Sequence, residues 1–247
     1  MIARRTKFNM NKKKFSTSQL VLLSLLTAVL LLMSYTQLGY LNIGPLAISF
    51  NVIPVAVAAI ALGPTGGAIV GGIFGLTSFM QCIGIGGLSA MGAILFEINP
   101  ILAFIQRFVP RVLDGFIIGW IYKITSKFST TYTASAITGF FSAFLNTVFF
   151  MTALVVLFGN TEYMQNLIGG RNVIVFICTF VGINAVCEMF ASTIITGVVG
   201  AALGKAKLVP QGKQKAKTEP LKEIPASIVE VEAEVVSEEA PADPENN

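Results

Sequence analysis

A run of 82 residues without a charged side chain, residues 15–96, constrains this chain more than any other feature. The run is long enough for three membrane spans of about 20 residues each with their connections. Over the whole chain 12% of residues are charged, whereas a soluble domain has about a quarter. The mean hydropathy is +0.74. We therefore predict an all-α, polytopic membrane protein.

Basic residues flank the apolar part of the chain on both sides. Six of the 17 precede the first apolar segment and six follow the last. Basic flanks remain in the cytoplasm, so both termini are expected inside and the number of spans is expected to be even, about six. The bases form no folded basic patch, so no nucleic-acid partner is expected. These flanking residues are Arg4, Arg5, Lys7, Lys12, Lys13, Lys14, Lys205, Lys207, Lys213, Lys215, Lys217 and Lys222.

Apolar segments of helical length are separated by polar or glycine-rich connections. The predicted helices cover residues 18–33, 52–62, 65–80, 109–124, 133–158 and 173–203. Gly63-Pro64 predicts a sharp break between the second and third helices. Residues 91–108, interrupted at Asn99-Pro100, are expected to form an outer, partly helical and partly re-entrant segment that caps the bundle. Such a segment is allowed only where protein shields its backbone.

The composition predicts three regions along the chain. Residues 1–17 form a basic cytoplasmic N-terminus, and residues 18–207 form the six-helix transmembrane domain. Residues 208–247 are rich in Glu, Pro, Ala and Lys, and they contain few aromatic residues. Such a composition buries too little apolar surface to fold alone, so we expect a disordered acidic cytoplasmic tail.

Small residues recur at four-residue spacing in two of the predicted helices. Gly67, Gly71 and Gly75 stack on one face of the third helix, where they let another backbone approach closely. Packing within the bundle is the favoured interpretation for these glycines. Ser24 and Ala28 repeat the spacing in the first helix, where packing within the bundle and docking against a second membrane protein both stay open.

Polar residues inside the apolar segments indicate a site. They are Glu97, Arg107, Arg111, Asp114, Asn146, Thr147, Asn184 and Glu188. Any of them could simply form interhelical hydrogen bonds or an Arg–Asp pair. As a set they favour a small-ligand site in the outer half of the bundle, because convergent polar groups in an apolar concavity are typical of such sites. A guanidinium stays charged and binds carboxylates bidentately, so Arg111 is the candidate for an anionic group.

Several chemistries find no support in the residues. The chain has no histidine, and its three cysteines show no metal-ligand spacing. It contains no phosphate-binding G-x-x-x-x-G-K-[ST] loop and no H-E-x-x-H or G-x-S-x-G motif. We therefore expect no enzyme activity, no cofactor, no metal and no ATP site of its own.

Four segments resemble the substrate-binding S components of energy-coupling factor (ECF) vitamin transporters, in the pantothenate-type branch. The similar segments are GPLAISFNVIPVAVAAIALGPTGGAIVGGIFGLTS (residues 44–78), PRVLDGFIIGWIYK (residues 110–123), FLNTVFF (residues 144–150) and GINAVCEMFASTIITGVV (residues 182–199). Ser24 and Ala28 lie where the family has an alanine-containing motif. The resemblance covers about residues 18–207.

The resemblance implies a mechanism and a set of partners. An S component of the bacterial plasma membrane binds a vitamin at the outer face, docks onto one membrane coupling subunit with two ATPase subunits, and topples to release the vitamin inside. Ser24 and Ala28 would belong to the docking face, and the loop around Tyr40 and Asn42 would gate the site. The residues implied to line the site are Arg111, Asn146, Asn184 and Glu188. Pantothenate is the first choice of vitamin, with riboflavin and folate as further candidates.

Two other classes remain open from the residues alone. A carrier that works alone, driven by protons or ions, is motivated by the carboxylates of Asp114 and Glu188 within apolar segments. A structural or assembly protein, in which the polar residues only pack, predicts no ligand binding at all.

Overall fold

The computed structural model describes residues 15–36, 39–42 and 47–209 of the chain. The predicted N-terminal region, residues 1–17, and the predicted acidic tail, residues 208–247, lie outside these ranges except for residues 15–17 and 208–209. Regular structure in the described residues is helical apart from one small β-hairpin. The elements are α1 (Thr17–Ser34), β1 (Tyr40–Asn42), β2 (Ala47–Ser49), α2 (Val52–Met80), a 3₁₀ turn (Gln81–Ile83), α3 (Ala90–Ile98), α4 (Pro100–Thr125), α5 (Thr131–Phe158), α6 (Glu162–Ile168) and α7 (Val173–Lys205).

Helix α1 begins at a capping box. The Ser16 side chain accepts the backbone N–H of Gln19, and the Gln19 side chain accepts the backbone N–H of Ser16. Leu26 and Leu30 are buried against the rest of the bundle, whereas most other side chains of α1 are at least partly exposed. The predicted first helix is confirmed to within one residue at each end.

Helix α2 is a helical hairpin rather than one straight helix. Gly63 has non-helical backbone angles (φ 74°, ψ −167°) and precedes Pro64, so the helical hydrogen bonds stop there. A methyl group added at Gly67 would lie 2.8 Å from Ala59 Cβ, and one added at Gly71 would lie 3.6 Å from Val55 Cγ1. The later glycine, Gly71, thus contacts the earlier residue, Val55. This pattern shows that residues 52–62 and 64–80 form two antiparallel arms. The predicted break and both predicted helices are confirmed.

The glycine stripe of the second arm packs against α4. A methyl group at Gly67 would overlap the Gly115 carbonyl oxygen, and one at Gly71 would overlap the Arg111 carbonyl oxygen. A methyl group at Gly75 would lie 2.8 Å from Phe108 Cα. The two backbones touch along the whole stripe, as small residues allow. The predicted packing role of these glycines is confirmed.

Helix α4 corrects the expected start of the fourth helix. The Asn99 side chain accepts the backbone N–H groups of Ile101 and Leu102 at 3.0 and 3.1 Å, and Pro100 occupies the first turn. Both features are typical of a helix start. The helix continues through Pro110, because membrane helices tolerate an internal proline. The predicted re-entrant capping segment is therefore wrong for residues 100–108, and only α3 remains as a short, separate helix.

Six helical passes make up the bundle in the described residues: α1, the two arms of α2, α4, α5 and α7. Four segments are long and apolar enough to cross a membrane, namely Thr17–Ser34, Val52–Ile83, Thr131–Phe158 and Asn184–Lys205. Helix α4 is less apolar because it carries Arg107, Arg111 and Asp114. The class of all-α, polytopic membrane protein is thus established, while the number of spans stays a prediction.

Candidate functional site

A cavity of about 550 Å³ lies at one end of the bundle. Its wall is formed by the C-terminal ends of α1 and of the second arm of α2, by the N-terminal halves of α4 and α7, and by the middle of α5. Ser49, at the end of β2, completes the wall together with residues 86–91 before and within α3. The volume falls in the range of small-molecule sites, about 300–1,000 Å³.

The structure brings together the polar residues that the sequence singled out on separate helices. Arg111 of α4, Asn146 of α5, and Asn184 and Glu188 of α7 all line the cavity. Asp114 does not, because it is 2% exposed and lies behind the wall, with its Oδ2 3.5 Å from the Ser142 hydroxyl. The role of the four lining residues as substrate ligands stays a prediction.

The remaining predicted residues are those of the gating loop and of the docking face. The backbones of Tyr40 and Asn42 belong to β1, which pairs antiparallel with β2 from Tyr40–Ser49 to Asn42–Ala47. Their side chains lie outside the described part of the structure. Ser24 and Ala28 lie on an exposed face of α1 and do not line the cavity.

Arg111 is held between α4, α2 and α5. Its side chain is 6% exposed, and its guanidinium carbon lies 4.3 Å from the Phe150 ring centroid and 5.3 Å from that of Phe74. The close contact of Gly71 with the Arg111 carbonyl fixes the backbone from which the side chain projects. Aromatic rings attract a guanidinium electrostatically, so these contacts stabilise a buried cation.

Glu188 connects α7 to the β-hairpin. Its Oε1 accepts the backbone N–H of Ser49 at 2.5 Å. This carboxylate is 7% exposed and lines the same cavity as Arg111. The hydrogen bond fixes the end of β2 at the cavity wall, next to the loop that was predicted to gate the site.

Arg107 is a lining residue that the sequence analysis counted in the polar set but did not choose as a substrate ligand. Its Nη1 donates to the Ser78 hydroxyl at 3.3 Å and its Nη2 donates to the Ser89 hydroxyl at 3.2 Å. Arg107 therefore joins the end of α2 to the N-cap of α3. The available signal was its spacing, because a residue four positions before Arg111 shares its helix face.

A glycine-rich segment forms part of the rim. Gly84, Gly86 and Gly87 have positive φ angles of 84°, 80° and 120°, which glycine adopts more readily than other residues. A methyl group at Gly86 would overlap the Tyr35 ring, so this segment packs directly onto the end of α1. The Gln81 side chain reinforces the rim by donating to the Ser34 carbonyl at 2.9 Å.

The wall is chemically suited to binding an anion. In the part of the chain that the structure describes, the wall carries the guanidinium groups of Arg107 and Arg111 and one carboxyl group, that of Glu188, so positive charge is in excess there. Among the described residues, no group of three or more His, Cys, Asp or Glu side chains is placed to hold a metal ion.

The fold and the cavity together define a membrane-embedded binding protein for a small polar solute. The model of the family described as "ECF transporter, substrate-specific component" matches residues 18–200. The chain belongs to this family.

Two relatives agree with this assignment. The Pantothenate transporter PanT of Leuconostoc mesenteroides subsp. mesenteroides is 31% identical over 202 residues, which cover 76% of this chain and 92% of the relative. The Pantothenic acid transporter PanT of Lactococcus lactis subsp. cremoris is 24% identical over 208 residues, which cover 79% of this chain and 98% of the relative.

The membership confirms the family that the sequence motifs resembled. The chain is a multi-pass protein of the plasma membrane and serves substrate-specific vitamin uptake together with an ECF module. The carrier that works alone is not favoured.

Proposed function

We propose that this S component binds pantothenate in the cavity and takes it up together with an ECF module of one membrane coupling subunit and two ATPase subunits, without catalysing a reaction. The observation that carries the proposal is the position of Arg111, a nearly buried cation in the wall of a cavity of small-molecule size. The names of the two relatives support the choice of vitamin.

The chemistry of pantothenate fits the wall. Its carboxylate pairs with the guanidinium of Arg111, which suits planar, bidentate recognition. Its amide and hydroxyl groups hydrogen-bond to Asn146, Asn184 and Glu188, which offer both donors and acceptors. Phe74 and Phe150 cover the apolar carbons of the ligand.

The charges at the two ends of the bundle support an outward-facing cavity. Lys123, Lys127, Lys205 and Lys207 lie where α4 and α7 end, opposite the cavity. Basic residues favour the cytoplasmic side. The cavity then opens outside, where an S component collects its substrate.

The exposed face of α1 is the proposed docking surface. Ser24 and Ala28 are exposed and small, so a partner helix can approach the α1 backbone closely. Ala28→Leu is expected to abolish most uptake by the assembled transporter while leaving pantothenate affinity within twofold of wild type. Val148→Leu, at an exposed position on α5, is the matched control and is expected to retain uptake.

The test of the proposal is thermal unfolding of the purified protein with a vitamin panel of pantothenate, riboflavin and folate. A ligand of the folded state raises the melting temperature in a dose-dependent way. We expect a shift with pantothenate that is lost in Arg111→Ala and kept in Arg171→Ala, whose arginine lies outside the cavity wall. A shift with riboflavin or folate instead of pantothenate would overturn the choice of vitamin, and no shift in folded protein would overturn the proposal.

A further inference from the structure

Ser89 lies in the wall of the cavity at the start of α3. Its hydroxyl oxygen accepts the backbone N–H of Gly92 and an N–H of Arg107 Nη2, each at 3.2 Å. A hydroxyl oxygen has two lone pairs and one proton, so both lone pairs of Ser89 are in use and the proton remains to be donated. None of the described residues accepts that proton. The wall therefore presents a hydroxyl that acts only as a donor.

The surroundings of Ser89 hold it in place. Its backbone N–H donates to the Gln81 carbonyl at 3.1 Å, which ties it to the 3₁₀ turn after α2. The Arg107 guanidinium is also bonded to the Ser78 hydroxyl at 3.3 Å. A methyl group added at Gly92 would lie 2.9 Å from Arg107 Nη2, so the first turn of α3 packs against the guanidinium. Ser89 is thus preorganised, which lowers the cost of ordering it when a ligand binds.

Arg107 strengthens Ser89 as a donor. A guanidinium that donates to the hydroxyl oxygen polarises the O–H bond, because hydrogen bonds in a chain reinforce one another. Arg107 is 7% exposed, so water screens this effect little. The ligand group that suits a donor-only hydroxyl beside a cation is an acceptor without a proton of its own, such as a carbonyl or carboxylate oxygen.

The distance to Arg111 selects the acceptor. Arg107 and Arg111 are about one turn of α4 apart, or about 5.4 Å along the helix axis. Both guanidinium carbons lie near the Phe150 ring, at 5.2 and 4.3 Å from its centroid. In pantothenate two methylene groups and the amide nitrogen separate the carboxylate from the amide carbonyl, which is a comparable length. With the carboxylate on Arg111, the amide carbonyl is the acceptor that reaches Ser89.

We propose that Ser89 is a substrate-binding residue whose hydroxyl donates a hydrogen bond to the amide carbonyl oxygen of pantothenate. The inference rests on the proposed function and adds a residue that determines specificity, because the carboxylate and the carbonyl are then held at two separate points of the wall. Asn146, Asn184 and Glu188 serve the amide N–H and the hydroxyl groups of the ligand.

The test compares pantothenate with its thioamide analogue, in which sulfur, a weak acceptor, replaces the amide oxygen, by titration calorimetry of the purified full chain. Ser89→Gly removes the hydroxyl, and glycine is tolerated at a helix N-cap. This variant is expected to weaken pantothenate about tenfold, or about 1.4 kcal/mol, and the thioamide less than twofold. Ser89→Thr keeps the hydroxyl and is expected to bind pantothenate within threefold of wild type. Ser78→Ala is the matched control, since it removes the other hydroxyl bonded to Arg107 and is expected to change both affinities equally.

Each outcome decides the inference. Equal losses for both ligands in Ser89→Gly would show a merely structural role, and unchanged affinity for pantothenate would show no role, so either result would overturn it. If Ser89→Gly does not fold, Ser89→Ala also removes the hydroxyl and gives the same comparison. Wild-type protein that binds pantothenate and the thioamide equally tightly would overturn the inference alone. Folded wild-type protein that binds neither compound would refute the proposed function itself, and this inference with it.

Discussion

Gly71→Ala tests how the packing of α2 against α4 positions Arg111, the buried arginine of the cavity wall. The added methyl group would overlap the Arg111 carbonyl oxygen and would lie 3.1 Å from the Arg111 carbonyl carbon. Non-bonded carbons prefer about 3.5–4.0 Å, so α4 must withdraw by roughly half an ångström or more at the residue that carries the guanidinium. The neighbouring Gly72 offers a matched control, because a methyl group there meets Val112 Cγ2 at 3.5 Å, which is ordinary contact.

The expected sizes of the two effects differ. Overpacking costs about 1–3 kcal/mol of folding free energy. Either alanine recovers about 0.8–1.0 kcal/mol through its higher helix propensity. A misplaced guanidinium loses a charged hydrogen bond to the ligand, worth about 1.5–3 kcal/mol. We therefore expect Gly71→Ala to bind pantothenate about 10- to 100-fold more weakly.

Titration calorimetry with pantothenate, together with thermal unfolding without ligand, separates affinity from stability. Gly71→Ala is expected to lose affinity in protein that still folds, and Gly72→Ala is expected to bind within twofold of wild type. Wild-type affinity in Gly71→Ala, or an equal loss in both variants, would refute the argument that helix contact at Gly71 positions Arg111.

Two further predictions concern the rim and the hairpin. Gly86→Ala is expected to speed ligand release several-fold, because its methyl group would overlap the Tyr35 ring. Gly87 also has a positive φ, but a methyl group there meets no atom within 4 Å, so Gly87→Ala is the control. Equally fast release from both variants in stopped-flow measurements would contradict a specific contact at Gly86. Glu188→Gln keeps an oxygen that accepts the Ser49 N–H, whereas Glu188→Ala removes it. Hydrogen exchange at the Ser49 amide is therefore expected to accelerate at least tenfold in the alanine variant only. Equal exchange rates in the two variants would contradict the hydrogen bond.

Much of the fold could be predicted because a membrane restricts the backbone structures that an apolar segment can adopt. A charge-free run of membrane length leaves few alternatives to helices, and Gly63-Pro64 indicates a break in any environment. The polar residues could be found for the same reason, since Arg111 and Glu188 are conspicuous in apolar segments. The sequence did not predict the distances between these side chains.

The remainder depends on three-dimensional packing. The fourth helix was predicted to begin at residue 109, but Asn99 and Pro100 provide the cap and the helix continues past Pro110. Phe150 is one of 19 phenylalanines, and nothing in its sequence neighbourhood distinguishes it from Phe149. The Phe150 ring lies near the guanidinium groups of Arg107 and Arg111 only because of the way α5 packs against α4.

The most direct test of the central claim is titration of pantothenate into the purified wild-type protein and into Arg111→Ala, without the ECF module. The account predicts saturable binding at one site per chain, with an affinity at least tenfold weaker in Arg111→Ala because the ligand carboxylate loses its charged partner. Unchanged affinity in folded Arg111→Ala, or no binding by folded wild-type protein, would contradict it.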